Sequence, residues 1–469
     1  MTALKFMLCV GSVMLAGAAA WAQDSAAISS ETADLIARGQ YVATASDCTA
    51  CHTSNPSEPY AGNHVITSPV GDIVATNITP SKTAGIGNYT EAQFSDAVRH
   101  GIRADGARLY PAMPYTAFAK ITDADMKALY AYFMNDVKPV DTPSKKTQLP
   151  FPFNIRASMI GWNLLFADAD TYQTDTSKSD QWNRGAYLVQ GPAHCSTCHT
   201  PRGVMMQEKS GDYLGGAQVG PWYAPNITSD PQSGIGSWSK DEIVSYLGTG
   251  RAEGKAQAGG SMAEAVEHSF SHLQKSDLEA IATYLANVPA KSGPSRFDQG
   301  SATNLTTEFC GIDGAPSGLA VGAQIYSANC ATCHGINGQG TKDQYYPSLY
   351  HNSATSGPSA SNFIATVLNG IDRKTPQGHV FMPPFGTQDN AFNALSDSEI
   401  AQLANYVSSS FGDGGFEVSS DEVVQIRAGG PSSNLLSQVR IAMVIGLVIA
   451  LIIIAIIWVV YRARRQRSS

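Results

Sequence analysis

Basic residues are outnumbered in this chain: 31 Lys and Arg face 39 Asp and Glu over 469 residues, a formal charge of −8. That balance argues against a nucleic acid partner. Histidine is scarce, at 10, and only eight cysteines are present. No acid, base or nucleophile constellation for substrate chemistry stands out. Charge is missing altogether from Ile441 to Val460, 20 residues that span about 30 Å as a helix and match the hydrocarbon core of a bilayer. Tyr461, Arg462, Arg464, Arg465 and Arg467 follow at once, a cluster that stays cytoplasmic and leaves the preceding chain outside.

The other end reads as an export signal, residues 1–22. Lys5 precedes an apolar run from Phe6 to Ala20, and Ala20-Trp21-Ala22 supplies small residues for cleavage, so the mature chain starts near Gln23. Cys9 leaves with that segment. Export would suggest disulfides, but six of the remaining seven cysteines form three pairs with a histidine directly behind each. These are Cys48-Thr49-Ala50-Cys51-His52, Cys195-Ser196-Thr197-Cys198-His199 and Cys330-Ala331-Thr332-Cys333-His334.

CxxCH attaches c-type haem. Two thiols add to the two vinyl groups on one porphyrin edge, and the next residue lies under the ring with its imidazole on iron. A redox CxxC or a zinc knuckle does not require that histidine. Chance does not put three of ten histidines there. The cofactors expected are therefore three covalent haems, through Cys48, Cys51, Cys195, Cys198, Cys330 and Cys333, with His52, His199 and His334 as axial ligands.

The repeat extends beyond the cysteines. Arg38-Gly39-Gln40-Tyr41, Arg184-Gly185-Ala186-Tyr187 and Gly322-Ala323-Gln324-Ile325-Tyr326 each open a helix leading into CxxCH. Closing helices cover Met126 to Phe133, Leu278 to Leu285 and Ile400 to Val407, with Tyr132, Tyr284 and Tyr406 in equivalent places. First and last helices are expected to cross where a glycine permits close approach. The fold expected is mainly α, three tandem cytochrome c domains plus one C-terminal transmembrane helix. The domains are 31–137, 182–288 and 319–412, joined by linkers 138–181 and 289–318. A further linker, 413–438, leads to the membrane helix 439–461 and the basic tail 462–469. The stretch Met159 to Phe166 is apolar, carries no haem motif and is expected to pack across domains. Cys310 stands alone in a linker.

An electron-transfer haem is best closed on both faces, and Met opposite His raises its potential. Met113, Met262 and Met382 lie 61, 63 and 48 residues after their histidines, each on a loop before the closing helix. They are the sixth-ligand candidates, with His268 a competitor to Met262. Met205 and Met206 read as packing residues, and His64, His100 and His379 as structural or exposed. Asn77 and Asn226, each opening Asn-Ile-Thr, either bond haem carboxylates or close a turn. Arg202 either pairs with such a carboxylate or is solvated. The Pro347 carbonyl, 13 residues after His334, is placed to accept that imidazole's proton.

Several motifs together go further. Asn77-Ile78-Thr79-Pro80, Arg99-His100-Gly101, Tyr110-Pro111-Ala112-Met113-Pro114-Tyr115 and Cys198-His199-Thr200-Pro201-Arg202 resemble the triheme cytochrome c subunit of membrane-bound periplasmic dehydrogenases from acetic acid bacteria. Leu149-Pro150-Phe151-Pro152-Phe153 and Met262-Ala263-Glu264-Ala265-Val266-Glu267-His268 look most like the fructose and gluconate flavoprotein branch, with the quinoprotein alcohol dehydrogenase branch a near relative. The resemblance implies an electron-transfer subunit with no catalysis of its own. Its partners would be a catalytic flavoprotein (or pyrroloquinoline quinone protein), a small subunit, ubiquinone and the lipid bilayer. Its location would be the inner membrane, with the haem domains in the periplasm. A rival class, a peroxidase or gas-binding haem protein, would leave one iron five-coordinate.

Overall fold

The computed structural model describes residues 30–168, 170–293, 318–412, 415–431 and 435–467. The expected signal segment and Cys310 lie outside them. The architecture is helical with short antiparallel hairpins, in chain order as follows. A first helix, α1, covers residues 30–45. Then come α2 (Cys48–His52), β1 (Val65–Ser68), β2 (Gly71–Val74), α3 (Glu91–His100), α4 (Tyr115–Phe118), α5 (Asp123–Asn135) and α6 (Ser158–Phe166). A second run holds α7 (Asp180–Gln190), α8 (Ser196–His199), β3 (Ala217–Val219), β4 (Trp222–Ala224), α9 (Lys240–Thr249), β5 (Arg251–Ala252), β6 (Ala256–Gln257), α10 (Gly260–His268) and α11 (Lys275–Leu285). The last run holds α12 (Ala320–Asn329), α13 (Ala331–His334), α14 (Ser361–Asn369), β7 (Ile371–Thr375), β8 (Gly378–Met382), α15 (Asp397–Phe411), α16 (Ser420–Arg427) and α17 (Leu435–Arg467).

Three buried clusters form, each around one crossing of an opening and a closing helix. The glycines explain the crossings. A methyl group on Gly39 would lie 2.0 Å from the Ala128 carbonyl oxygen, one on Gly185 1.9 Å from that of Ala280, and one on Gly322 2.2 Å from that of Gln402. The next contact in each case is the Cβ of Tyr132, Tyr284 or Tyr406. Backbone meets backbone there, and no side chain fits between.

Middle helices begin where local chemistry satisfies their first amides. Thr90 with Gln93, Ser239 with Glu242 and Ser396 with Glu399 form reciprocal capping boxes on α3, α9 and α15. Such a cap contributes about 1 kcal/mol. Gly101 and Gly250 end α3 and α9 at φ 62° and 75°, the left-handed region that a helix stop uses.

Helix α6 bridges. Its Trp162 is buried and donates to the Met205 carbonyl at 2.8 Å, while Asn163 accepts from the Tyr115 hydroxyl at 2.7 Å. The stretch thus ties the first unit to the second, as its apolar character suggested. Met205 itself is exposed, contrary to the packing role expected of it, because its backbone rather than its side chain makes the contact. Helix α17 is continuous and exposed, with a mean hydropathy of 3.3 in its apolar window.

Candidate haem-attachment sites

Each CxxCH motif forms a short helical turn: α2, the Cys195 turn running into α8, and the Cys330 turn running into α13. All six cysteines are half-buried free thiols. Burial pushes Cys48, Cys195 and Cys330 up to about 12 and Cys51 to about 11. A redox CxxC does the reverse, lowering its thiol to make a nucleophile. Among the described residues no group of three or more His, Cys, Asp and Glu gathers into a metal cluster. These are attachment cysteines in shape, neither dithiol catalysts nor zinc knuckles.

The histidines share one geometry. His52 Nδ1 lies 2.7 Å from the Thr76 carbonyl, His199 Nδ1 2.7 Å from that of Pro225, and His334 Nδ1 2.9 Å from that of Pro347. A carbonyl can only accept, so Nδ1 carries the proton and Nε2 keeps its lone pair in every copy. Burial also lowers the pKa of His52 and His334, keeping their rings neutral. The Pro347 contact was legible beforehand. Those of Thr76 and Pro225 were missed, although each directly precedes an Asn-Ile-Thr motif already singled out.

Those motifs now have a structural role. Asn77 Oδ1 accepts from the Thr79 amide and hydroxyl, and its amide donates to the carbonyls of Val140 and Thr142. Asn226 repeats this with Thr228, Lys291 and Ser233. Both side chains are spent closing the turn that aims the histidine's acceptor. Arg202 donates to the Thr197 carbonyl at 2.8 Å and lies 3.6 Å from Glu208, so it braces the attachment turn rather than lying free in solvent.

Each candidate methionine packs against the same cluster as the first cysteine of its own unit: Met113 with Cys48, Met262 with Cys195, Met382 with Cys330. Their settings differ. Met113 sits on a loop held from both sides, by the Tyr110 hydroxyl donating to the Phe153 carbonyl at 2.7 Å and by Tyr115 bonding Asn163. Gly101 lies beneath the Tyr115 ring, 2.7 Å from where its Cβ would be. This clamp explains why the Arg99-His100-Gly101 and Leu149-to-Phe153 motifs accompany the methionine. Met382 ends β8. Met262 lies not on a loop but in the first turn of α10, because Gly260 at φ 51° packs under the Trp222 indole and turns the chain into a helix early. His268 ends that helix exposed, away from the cluster. His379 is exposed and bonded to Asp372 at 2.7 Å.

The residues present fit a covalently held haem: buried unpaired thiols, one free imidazole nitrogen per motif and a thioether on the same cluster. Comparison with known proteins agrees. The cytochrome c family model matches residues 36–135 and 319–411. The fructose dehydrogenase cytochrome subunit of Gluconobacter japonicus is 46% identical over 92% of both chains. It belongs to the cytochrome c subunits of membrane-bound dehydrogenases. Two further relatives span similar shares. The cytochrome c subunit of Gluconobacter oxydans alcohol dehydrogenase (quinone) is 39% identical over 91% of this chain and 88% of its own. The gluconate 2-dehydrogenase cytochrome c subunit of Pantoea cypripedii is 36% identical over 86% and 94%. This cytochrome subunit therefore carries electrons for a dehydrogenase complex, with covalent haem, a catalytic partner subunit and a membrane association.

Proposed function

We propose that the chain holds three c-type haems, one in each domain of 31–137, 182–288 and 319–412. They would be bonded through Cys48/Cys51, Cys195/Cys198 and Cys330/Cys333. His52, His199 and His334 are the proximal ligands, and Met113, Met262 and Met382 close the opposite faces. The observation that carries this reading is the threefold recurrence of an imidazole bonded at Nδ1 to a backbone carbonyl, with a methionine on the cluster of the adjacent cysteine.

Bound haem supplies a one-electron iron couple. The chain's part is to hold its ligands and exclude water. The Thr76, Pro225 and Pro347 carbonyls fix the ring tautomers and raise ligand basicity. The clamp on Met113 orders a weak thioether ligand before it binds, so the bond need not bear that entropy cost. The accepting and donating surfaces face two partners. Electrons would arrive from the flavin of a catalytic subunit that oxidises a sugar, sugar acid, polyol or alcohol, with a small subunit assisting. They would leave to ubiquinone at the bilayer. The chain would sit in the inner membrane through α17, with its haem domains periplasmic and its arginines cytoplasmic.

Denatured, acid–acetone-extracted protein should retain three haems per polypeptide, and fewer would overturn the assignment. The complex purified from membranes should contain flavin. The 39% identity to a subunit of a quinone-type alcohol dehydrogenase makes pyrroloquinoline quinone the alternative outcome of that measurement.

A further inference from the structure

The first two units meet through an exchange of partners. Arg38 binds Asp125 within the first unit at 2.6 Å, and Arg184 binds Asp277 within the second at 2.6 Å. The tyrosines cross over. Tyr41 of the first unit donates to Asp277 at 2.6 Å, and Tyr187 of the second donates to Asp125. Arg38 and Arg184, Tyr41 and Tyr187, and Asp125 and Asp277 are equivalent positions of the repeat, one before, two after and opposite the crossing glycines. Both carboxylates are nearly buried, at 5% and 7% exposure. Each needs its own arginine for charge and the other unit's hydroxyl to complete its hydrogen bonds.

Beside this exchange the attachment edges come together. Ala45, three residues before Cys48, is buried in the second unit's cluster, with Tyr41 packed on its edge. Helix α2 packs against α10, the helix of Met262. The residues just ahead of the two CxxCH motifs, Asp47 and His194, share a left-handed backbone at φ 49° and 37°, and the His194 ring meets Phe118 of the first unit edge-on at 5.5 Å. Cys51 and Cys198 lie close enough that each unit's acidic groups act on the other's thiol.

We propose that Tyr41, Tyr187, Asp125 and Asp277 are positioning residues that hold the attachment edges of the first two haems face to face, so that one electron passes directly between them. This rests on the haem assignment above. The transfer forms and breaks no bond and moves no proton; one centre is oxidised as the other is reduced. The third unit is a built-in contrast. Val321 and Gln324 replace the arginine and tyrosine, both exposed, and Glu399 is used in its own helix cap. Its link to the second unit is different: Arg373, on β7, is 1% exposed and donates to the Ala258 carbonyl at 2.6 Å.

The test uses the full chain carrying Tyr41→Phe and Tyr187→Phe, which keep both rings and remove only the crossed hydroxyls. Two closely faced haems give a split Soret circular dichroism signal that potentials and haem count do not report. We expect that splitting to fall by at least half, with three haems per chain retained. Electron exchange between the first two centres, measured after photoreduction, should slow on the order of tenfold. Gln324→Leu should leave both readouts unchanged, and a chain with Cys330→Ala and Cys333→Ala should keep the splitting. Unchanged splitting and exchange rate in the double variant would overturn the proposal. Should the double variant not accumulate, Tyr41→Phe alone must show the same direction of change in both readouts, and its failure to do so counts equally against the proposal. Fewer than three haems in the unsubstituted chain would instead sink the assignment beneath it.

Discussion

Gly185 shows how one absent methyl sets a fold. Its Cβ would meet the Ala280 carbonyl oxygen at 1.9 Å, and neither backbone can retreat without opening the helix crossing. Gly185→Ala should destabilise by about 1–3 kcal/mol or more, read from denaturant unfolding. Gly161, inside α6 with nothing within 4 Å of its Cβ, is the matched control; Gly161→Ala should gain about 0.5–1 kcal/mol from helix propensity. The methionines carry the functional counterpart. Met113→Ala or Met382→Ala should lower one haem's potential and open its iron to carbon monoxide, without loss of the covalent haem. Redox titration and carbon monoxide binding check this, and unchanged potentials would remove those residues as ligands. These positions were readable in the chain because each lies a set distance from its own CxxCH. Asn77 and Arg202 were not, since the alternatives for them differ only in which atoms lie nearby.

At the level of elements, the CxxCH turns form around local hydrogen bonds and their own clusters, so each should accept its haem separately. Replacing Cys195 and Cys198 by Ala should remove one covalent haem and leave two, counted by haem staining and pyridine haemochrome absorbance. The starts and stops of α3 and α9 were legible because caps and a terminal glycine act within a few residues. The helical setting of Met262 was hidden, because it depends on Trp222, 40 residues earlier in the chain, packing on Gly260. Likewise the clamp on Met113 joins Phe153 and Asn163 from a connecting segment with no haem motif.

Across the whole molecule, two forces hold the parts: the bilayer on α17 and buried polar contacts between units. Removing residues from 435 onward should move the protein from the membrane to the soluble fraction, with its haem count unchanged. The inter-unit contacts predict an acid limit. Burial opposes ionisation of Asp277, but the hydrogen bonds from Arg184 and Tyr41 outweigh it and hold the carboxyl below its ordinary value of 3.8. A depressed carboxyl contributes stability that is complete above that ordinary value and lost as pH falls through the folded one. The split Soret signal should therefore persist from neutrality to about pH 4 and fade below it, while haem attachment survives.

Covalent spacing is carried by the chain itself. Cysteines two residues apart, a histidine behind them and a methionine about sixty residues on specify haem chemistry in any well-formed helical pocket, and an uncharged run of 20 residues specifies a bilayer. Which units touch is another matter. The bond from Tyr41 to Asp277 spans 236 residues, and that from Arg184 to Asp277 spans 93. Nothing local distinguishes a tyrosine that will cross to a neighbour from one that will stay at home. The choice follows from burial, which makes a carboxylate's second partner necessary only once two surfaces have closed over it.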